Sequence, residues 1–192
     1  MGKKYDLSSL SLLVIDDNNY MLSIIKILLK GFGIQHVRDA TEAAQAFEEF
    51  RAAPTDMIIV DYALETLDGI EFTKLVRTAK DSPNPYVPII MLTAYSERVR
   101  VEQARDAGVT EFLRKPISAT GLYSRILEVV ERPRPFIRSK TYFGPDRRRR
   151  VDETYGGEER RKNDDTHNID EAEEDAEAPE TADTPEATEE AS

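Results

Sequence analysis

The chain has 192 residues and a formal net charge of −11, room for one ordinary domain and an appendage. The charge is segregated: residues 1–131 carry −4, residues 132–162 carry +6 and residues 163–192 carry −13, so the acidity describes the tail and not the part that folds. The absence of cysteine excludes a disulfide framework and a thiolate metal site.

Five short apolar runs follow one another: Leu10–Ile15, Ile34–Val37, Met57–Val60, Val87–Leu92 and Glu111–Leu113. The first, third and fourth are nearly continuous apolar, the pattern of strands covered on both faces. Each is followed by a stretch with helical spacing. Residues 18–30 place Met21, Ile24, Ile25, Leu28 and Leu29 on one face and stop at Gly31. Residues 41–51 open on Thr41 as an N-cap and group Ala43, Ala46, Phe47 and Phe50. Residues 69–80 repeat the pattern, residues 97–107 end at Gly108, and residues 118–131 start on a Ser118 cap. Alternating strands and helices imply right-handed crossovers and a parallel sheet, a doubly wound (βα)5 α/β fold over residues 8–131. Ligands of such sheets bind beyond the carboxyl ends of the strands, so function is expected just after each apolar run.

Those positions hold Asp16 and Asp17 after the first run, Asp61 after the third, Thr93 after the fourth and Lys115 after the fifth. Each has a bland explanation alone: a turn, a helix cap, a surface amine. Together they are harder to dismiss. Carboxylates converging at 4–5 Å repel by about 3–4 kcal/mol per pair at an effective dielectric near 20. Such a cluster is protonated in part, paired with Lys115, or neutralised by a cation. A hard divalent ion suits an all-oxygen donor set, and Mg²⁺ typically shares its shell between one or two carboxylates and phosphate oxygens. Acids for a metal, a hydroxyl and an ammonium form an inventory for handling a phosphoryl group.

With "VIDD" at 14–17, "VD" at 60–61, "DG" at 68–69, "LTA" at 92–94 and "KP" at 115–116, residues 8–131 closely resemble the receiver domain of bacterial two-component response regulators. The resemblance implies a flavodoxin-like sheet of strand order 2-1-3-4-5 and a phosphoacceptor, Asp61, loaded by a histidine kinase or a histidine phosphotransfer protein. It implies Mg²⁺ held by Asp17, Asp61 and the backbone carbonyl of Ala63, with Asp16 acting mainly through a water. Lys115 and Thr93 would stabilise the phosphoryl group, Thr93 and Phe112 would form the switch, and the Lys115–Pro116 bond would be cis. Such a protein is a signalling phosphoacceptor and not an enzyme in the ordinary sense; its only catalysis is self-phosphorylation and slow autodephosphorylation. A haloacid-dehalogenase-type phosphatase also uses an aspartyl nucleophile, Mg²⁺ and a lysine. It needs a second acid two residues after the nucleophile, and that position here is Ala63.

Two departures from the family pattern stand out. The usual proline four residues after the acceptor is Glu65, which makes that loop more acidic, and the two positions that modulate dephosphorylation are Ala63 and Tyr95. Ala63 offers no side chain to position water, so a long-lived phosphoryl group is expected.

Past Arg132 the periodicity is lost. Residues 132–162 read as a basic, flexible segment with an imperfect repeat, "FGPDRRRR" at 143–150 and "YGGEERRK" at 155–162; residues 163–192 read as an acidic disordered tail. Three readings of the basic segment compete. The first is a solvated linker folding back on the acidic end. It is also similar to the arginine-rich tails with which some receiver-like proteins bind a cyclic dinucleotide, through Arg147, Arg148, Arg149, Arg150, Arg160 and Arg161. DNA binding ranks last, because the acidic block competes with the phosphates. No DNA-binding output domain is expected, so signalling would run through contacts with a downstream protein or a phosphorylation-dependent homodimer. No stretch suits a signal peptide or membrane insertion, and a cytoplasmic location is expected.

Overall fold

The computed structural model describes residues 5–94, 98–139 and 141–147, and the backbone of 165–167. Strands β1 (Ser11–Ile15), β2 (His36–Ala40), β3 (Met57–Asp61), β4 (Ile89–Thr93) and β5 (Glu111–Arg114) pair in parallel in the order β2-β1-β3-β4-β5. Helices α1 (Asn19–Gly31), α2 (Ala43–Ala52), α3 (Gly69–Thr78), α4 (Arg98–Asp106) and α5 (Ala119–Glu131) alternate with them. This is the doubly wound parallel sheet that the alternation implied, with the flavodoxin-like strand order that the resemblance implied.

The two-residue period of the strands builds two cores. Leu13, Ile15, Ile58, Val60, Ile89 and Met91 face α2, α3 and the Ala104 end of α4. Their neighbours Leu12, Val14, Met57, Ile59, Ile90 and Leu92 face α1 and α5. Because both faces are covered, the three central strands read as unbroken apolar runs. The acidic and hydroxyl residues interrupt those runs only where the sheet ends.

Several boundaries differ from the sequence expectation. Strand β2 runs over 36–40 and not 34–37. Ile34 is buried, but its N–H donates to the Leu29 carbonyl and closes the end of α1, so its apolar side chain caps a helix and starts no strand. As an edge strand β2 tolerates polar residues: Arg38 donates to the carbonyls of Glu49, Ala53 and Pro54, and Asp39 pairs with Lys26 at 2.8 Å. The turn after α1 depends on Gly33, whose φ of 92° is the left-handed value, and not on Gly31. Thr41 does not cap α2; Glu42 holds the cap position without a side-chain hydrogen bond. Asn18, Asp68 and Ser118 do cap α1, α3 and α5 through their side chains.

Beyond Arg132 the described residues add short strands that the sequence analysis did not name. β6 (Phe136–Arg138) and β7 (Phe143–Pro145) form an antiparallel hairpin, and the backbone of β8 (Asp165–His167) pairs antiparallel with β6. Strands of three residues show no period, which is why the sequence hid them. What holds the hairpin is aromatic. The rings of Tyr86, Phe136 and Phe143 meet at centroid separations of 5.2, 5.2 and 5.7 Å. Beneath them lies Arg77, 4 % exposed and with its guanidinium 5.1 Å from the Phe136 centroid. Arg77 donates to the carbonyls of Pro85 (2.7 Å) and Gly108 (2.9 and 3.2 Å). Burial draws its pKa down to about 9, which leaves it charged at neutral pH. The rest of residues 148–192 lies outside the described residues. Among the described residues no helix is long and apolar enough to cross a membrane.

Candidate functional site

The site stands at the carboxyl edge of β1, β3, β4 and β5. Asp61 and Thr93 are the last residues of β3 and β4, so the sheet itself fixes their backbones. Asp61 pairs with Leu92, and Tyr62 N–H donates to the Leu92 carbonyl at 2.8 Å. Asp16 follows β1, with its N–H on the Ala40 carbonyl at 3.3 Å. Lys115 follows β5, with its N–H on the Thr93 carbonyl at 2.8 Å. The Lys115–Pro116 bond is cis, as the resemblance implied.

The carboxylates of Asp16, Asp17 and Asp61 each bring one oxygen to within 4.8 Å of the others. Lys115 Nζ bridges two of them, at 2.9 Å from Asp61 Oδ2 and 3.0 Å from Asp16 Oδ2. Asp16 is fully buried, and its other oxygen accepts the Asn18 N–H at 2.9 Å. Both oxygens of Asp16 are therefore engaged by the protein, whereas Asp17 is half exposed at the mouth. Burial raises the Asp61 pKa above its ordinary value, and it outweighs the opposing hydrogen bond and charge of Lys115. For Lys115 the balance is reversed: burial pulls its pKa down, but the hydrogen bonds and charges of Asp61 and Asp16 together raise it.

Thr93 is buried beside this cluster, and Phe112 is half-buried on β5, in register with Met91 and packed on the core beneath α3 and α4. Tyr95 lies outside the described residues; Ala63 is exposed on the loop after Asp61. Of the six tail arginines, only Arg147 is described. It pairs with Asp106 at 3.1 Å and lies 4.3 Å over the Tyr142 ring, far from the acidic cluster in the fold.

Gly69 is a site residue that sequence reasoning used only as part of a motif. Its N–H donates to the Tyr62 carbonyl at 3.0 Å, and a Cβ there would fall against the Asp61 carbonyl oxygen, far inside van der Waals contact. The loop after Asp61 turns back so tightly that only glycine fits. The "DG" pair thus combines the α3 cap, Asp68, with the residue that lets α3 start directly under the acceptor strand.

An oxygen-only donor set, one of its members open to solvent, fits a hard divalent cation and is poorly suited to a soft one. Without a cation, two buried carboxylates share a single ammonium. The arrangement can therefore bind a metal, and it can present a carboxylate nucleophile, already desolvated, beside a fixed positive charge.

A family model described as the response regulator receiver domain matches residues 12–127. The chemotaxis protein CheY-3 of Vibrio cholerae is 27% identical over 124 residues, which span 65% of this chain and 94% of that protein. A solved structure of a response regulator of Chloroflexus aurantiacus superposes with a TM-score of 0.58 at 28% identity, covering 64% of this chain and 98% of that one. The receiver domain of a sensor histidine kinase from Pseudomonas aeruginosa, solved with a magnesium ion coordinated in its active site cleft, gives a TM-score of 0.54 at 29% identity over 62% of this chain and 94% of its own.

Proposed function

Because the chain belongs to the response regulator receiver domain family, we propose that it is a phosphorelay protein in which Asp61 takes a phosphoryl group from a histidine kinase or a histidine phosphotransfer protein. The observation that carries the reading is the position of Asp61 at the end of a rigid central strand, within 2.9 Å of an ammonium and inside a three-carboxylate cluster. A carboxylate oxygen of Asp61 attacks phosphorus as the bond from phosphorus to the donor's imidazole nitrogen breaks. The product is an acyl phosphate on Asp61, and the imidazole leaves with the electron pair of the broken bond.

The chain's residues supply position and charge. Lys115 holds Asp61 in place before transfer and can follow the phosphoryl oxygens afterwards, since its ammonium lies between the two carboxylates. Thr93 offers a hydroxyl from the adjacent strand end and is positioned to turn toward the new phosphate. Phe112 would then move inward as its partner in the switch. Asp17, Asp61 and the Ala63 carbonyl would hold Mg²⁺, with Asp16 acting indirectly, in keeping with both of its oxygens being engaged already. Bound there, the ion would neutralise charge on the transferring group.

The protein would act as a cytoplasmic phosphoacceptor that signals through protein contacts, with no substrate turned over. Incubation with Mg²⁺ and acetyl phosphate should produce a phospho-species in the wild type and none in Asp61→Asn. Identical behaviour of the two proteins would remove Asp61 from this role. A chelator should abolish labelling of the wild type.

A further inference from the structure

Helix α4 is tied to the molecule at both ends by interactions that the phosphoryl chemistry does not use. Near its start, Arg100 lies over the ring of Tyr62, the residue that follows Asp61, at 5.7 Å from the centroid. At its end, Asp106 pairs with Arg147 at 3.1 Å. The turn that follows is gripped more tightly still. A Cβ on Gly144 of β7 would come within 2.8 Å of the Gly108 Cα, so the two backbones lie directly against each other. Arg77 fastens the Gly108 carbonyl from beneath, and Arg134 fastens the Thr110 carbonyl at 2.9 Å. Gly144 of the hairpin, and Arg134 and Arg147 that flank it, lie beyond residue 127, where the family match ends.

We infer that the β6–β7 hairpin is the output element of this receiver: a clasp docked in cis on the C-terminal end of α4, released when the phosphorylated site repositions that helix. The inference rests on the proposed role of Asp61. Its physical basis is that backbone-on-backbone packing has no side-chain slack. A shift of the α4 end strains this contact, and undocking of the hairpin relieves it. The docked arrangement goes with the resting site, where Lys115 is held by Asp16 and Asp61. Release breaks the Arg147–Asp106 pair and takes Arg147 and Tyr142 off the helix end together. Arg147 is also the first of the arginines that run to residue 150 in the sequence, so undocking alters the segment richest in positive charge. Linkage makes the effect reciprocal: a partner that prefers the undocked hairpin favours the phosphorylated form by the same factor.

Hydrogen exchange on the full chain tests this, with Mg²⁺ and beryllofluoride as the stand-in for a phosphoryl group and acetyl phosphate labelling followed in parallel. Amides of β6 and β7 should exchange faster on addition of beryllofluoride by about fivefold or more, the lower end of usual allosteric coupling. Asp61→Asn should show no response. Gly144→Val, which cannot sit on Gly108, should exchange fast with or without beryllofluoride while Asp61 still takes label; Arg147→Ala should show the same in weaker form. If Asp61 labels normally and the wild-type hairpin exchange is unchanged by beryllofluoride, the clasp is wrong. If Asp61 does not label at all, the failure belongs to the proposed function.

Discussion

Lys115 Nζ is shared between Asp61 at 2.9 Å and Asp16 at 3.0 Å, one ammonium for two buried carboxylates. Removing it by Lys115→Ala leaves both acids without a cation in the absence of metal. Breaking a buried pair costs about 3–5 kcal/mol. With Lys115 one-fifth exposed, the loss should be nearer to about 1–3 kcal/mol in urea unfolding with a chelator present. Saturating Mg²⁺ should recover part of it.

The opposite sign is expected for Asp61→Asn. Burial raises the Asp61 pKa above its ordinary 3.8, so the folded chain binds that proton more tightly than the unfolded chain does. Stability contributed by this group is therefore present at low pH and lost as pH rises through the raised value. The variant should be more stable than the metal-free wild type at neutral pH by about 1 kcal/mol, a gain typical of relieving a functional site. The gap between the two melting curves should narrow as pH is lowered; a gap that widens would contradict the burial argument.

Gly69→Ala inserts a methyl against the Asp61 carbonyl oxygen. Either the β3 end or the start of α3 must give way. A loss of about 1–3 kcal/mol is expected from the overpacking, together with slower phosphorylation by acetyl phosphate. Labelling at the wild-type rate would show that the loop relaxes without moving Asp61.

Ala63 is exposed beside the acceptor and carries nothing that could orient water. The phosphoryl group on the wild type should outlast that of the fastest chemotaxis receivers, and loss of label within seconds would refute this. Ala63→Asn, whose amide can hydrogen-bond and orient water, should shorten the lifetime by about 10-fold to 100-fold, at or below the usual gain from a positioned acid–base group.

What the sequence made readable follows from what repeats. Continuous apolar runs at β1, β3 and β4 and polar residues at their ends specify the sheet and the site together, because a doubly covered strand has no other place for Asp61. Edge strand β2 was misplaced by two residues at its start, since Ile34 looks like a strand residue until the end of α1 claims it. Gly69 was visible as a letter in a motif, but its reason, a backbone approach to Asp61, exists only in three dimensions. The hairpin was invisible for a different reason. Its strands have three residues each, and its stability comes from Tyr86 and Arg77, about fifty to sixty residues earlier in the chain, which no local pattern connects to Phe136.

The buried guanidinium of Arg77 also says that this domain does not stop at α5. Its ring cover is Phe136, and its neighbour Tyr86 packs on both Phe136 and Phe143. A chain cut at Glu131, the end of α5, would keep every strand of the parallel sheet yet leave a desolvated cation and an aromatic face open to water. The thermodynamic unit thus reaches at least to Arg147, some twenty residues after the sequence family ends. Any excised receiver meant to behave like the intact one must carry that border with it.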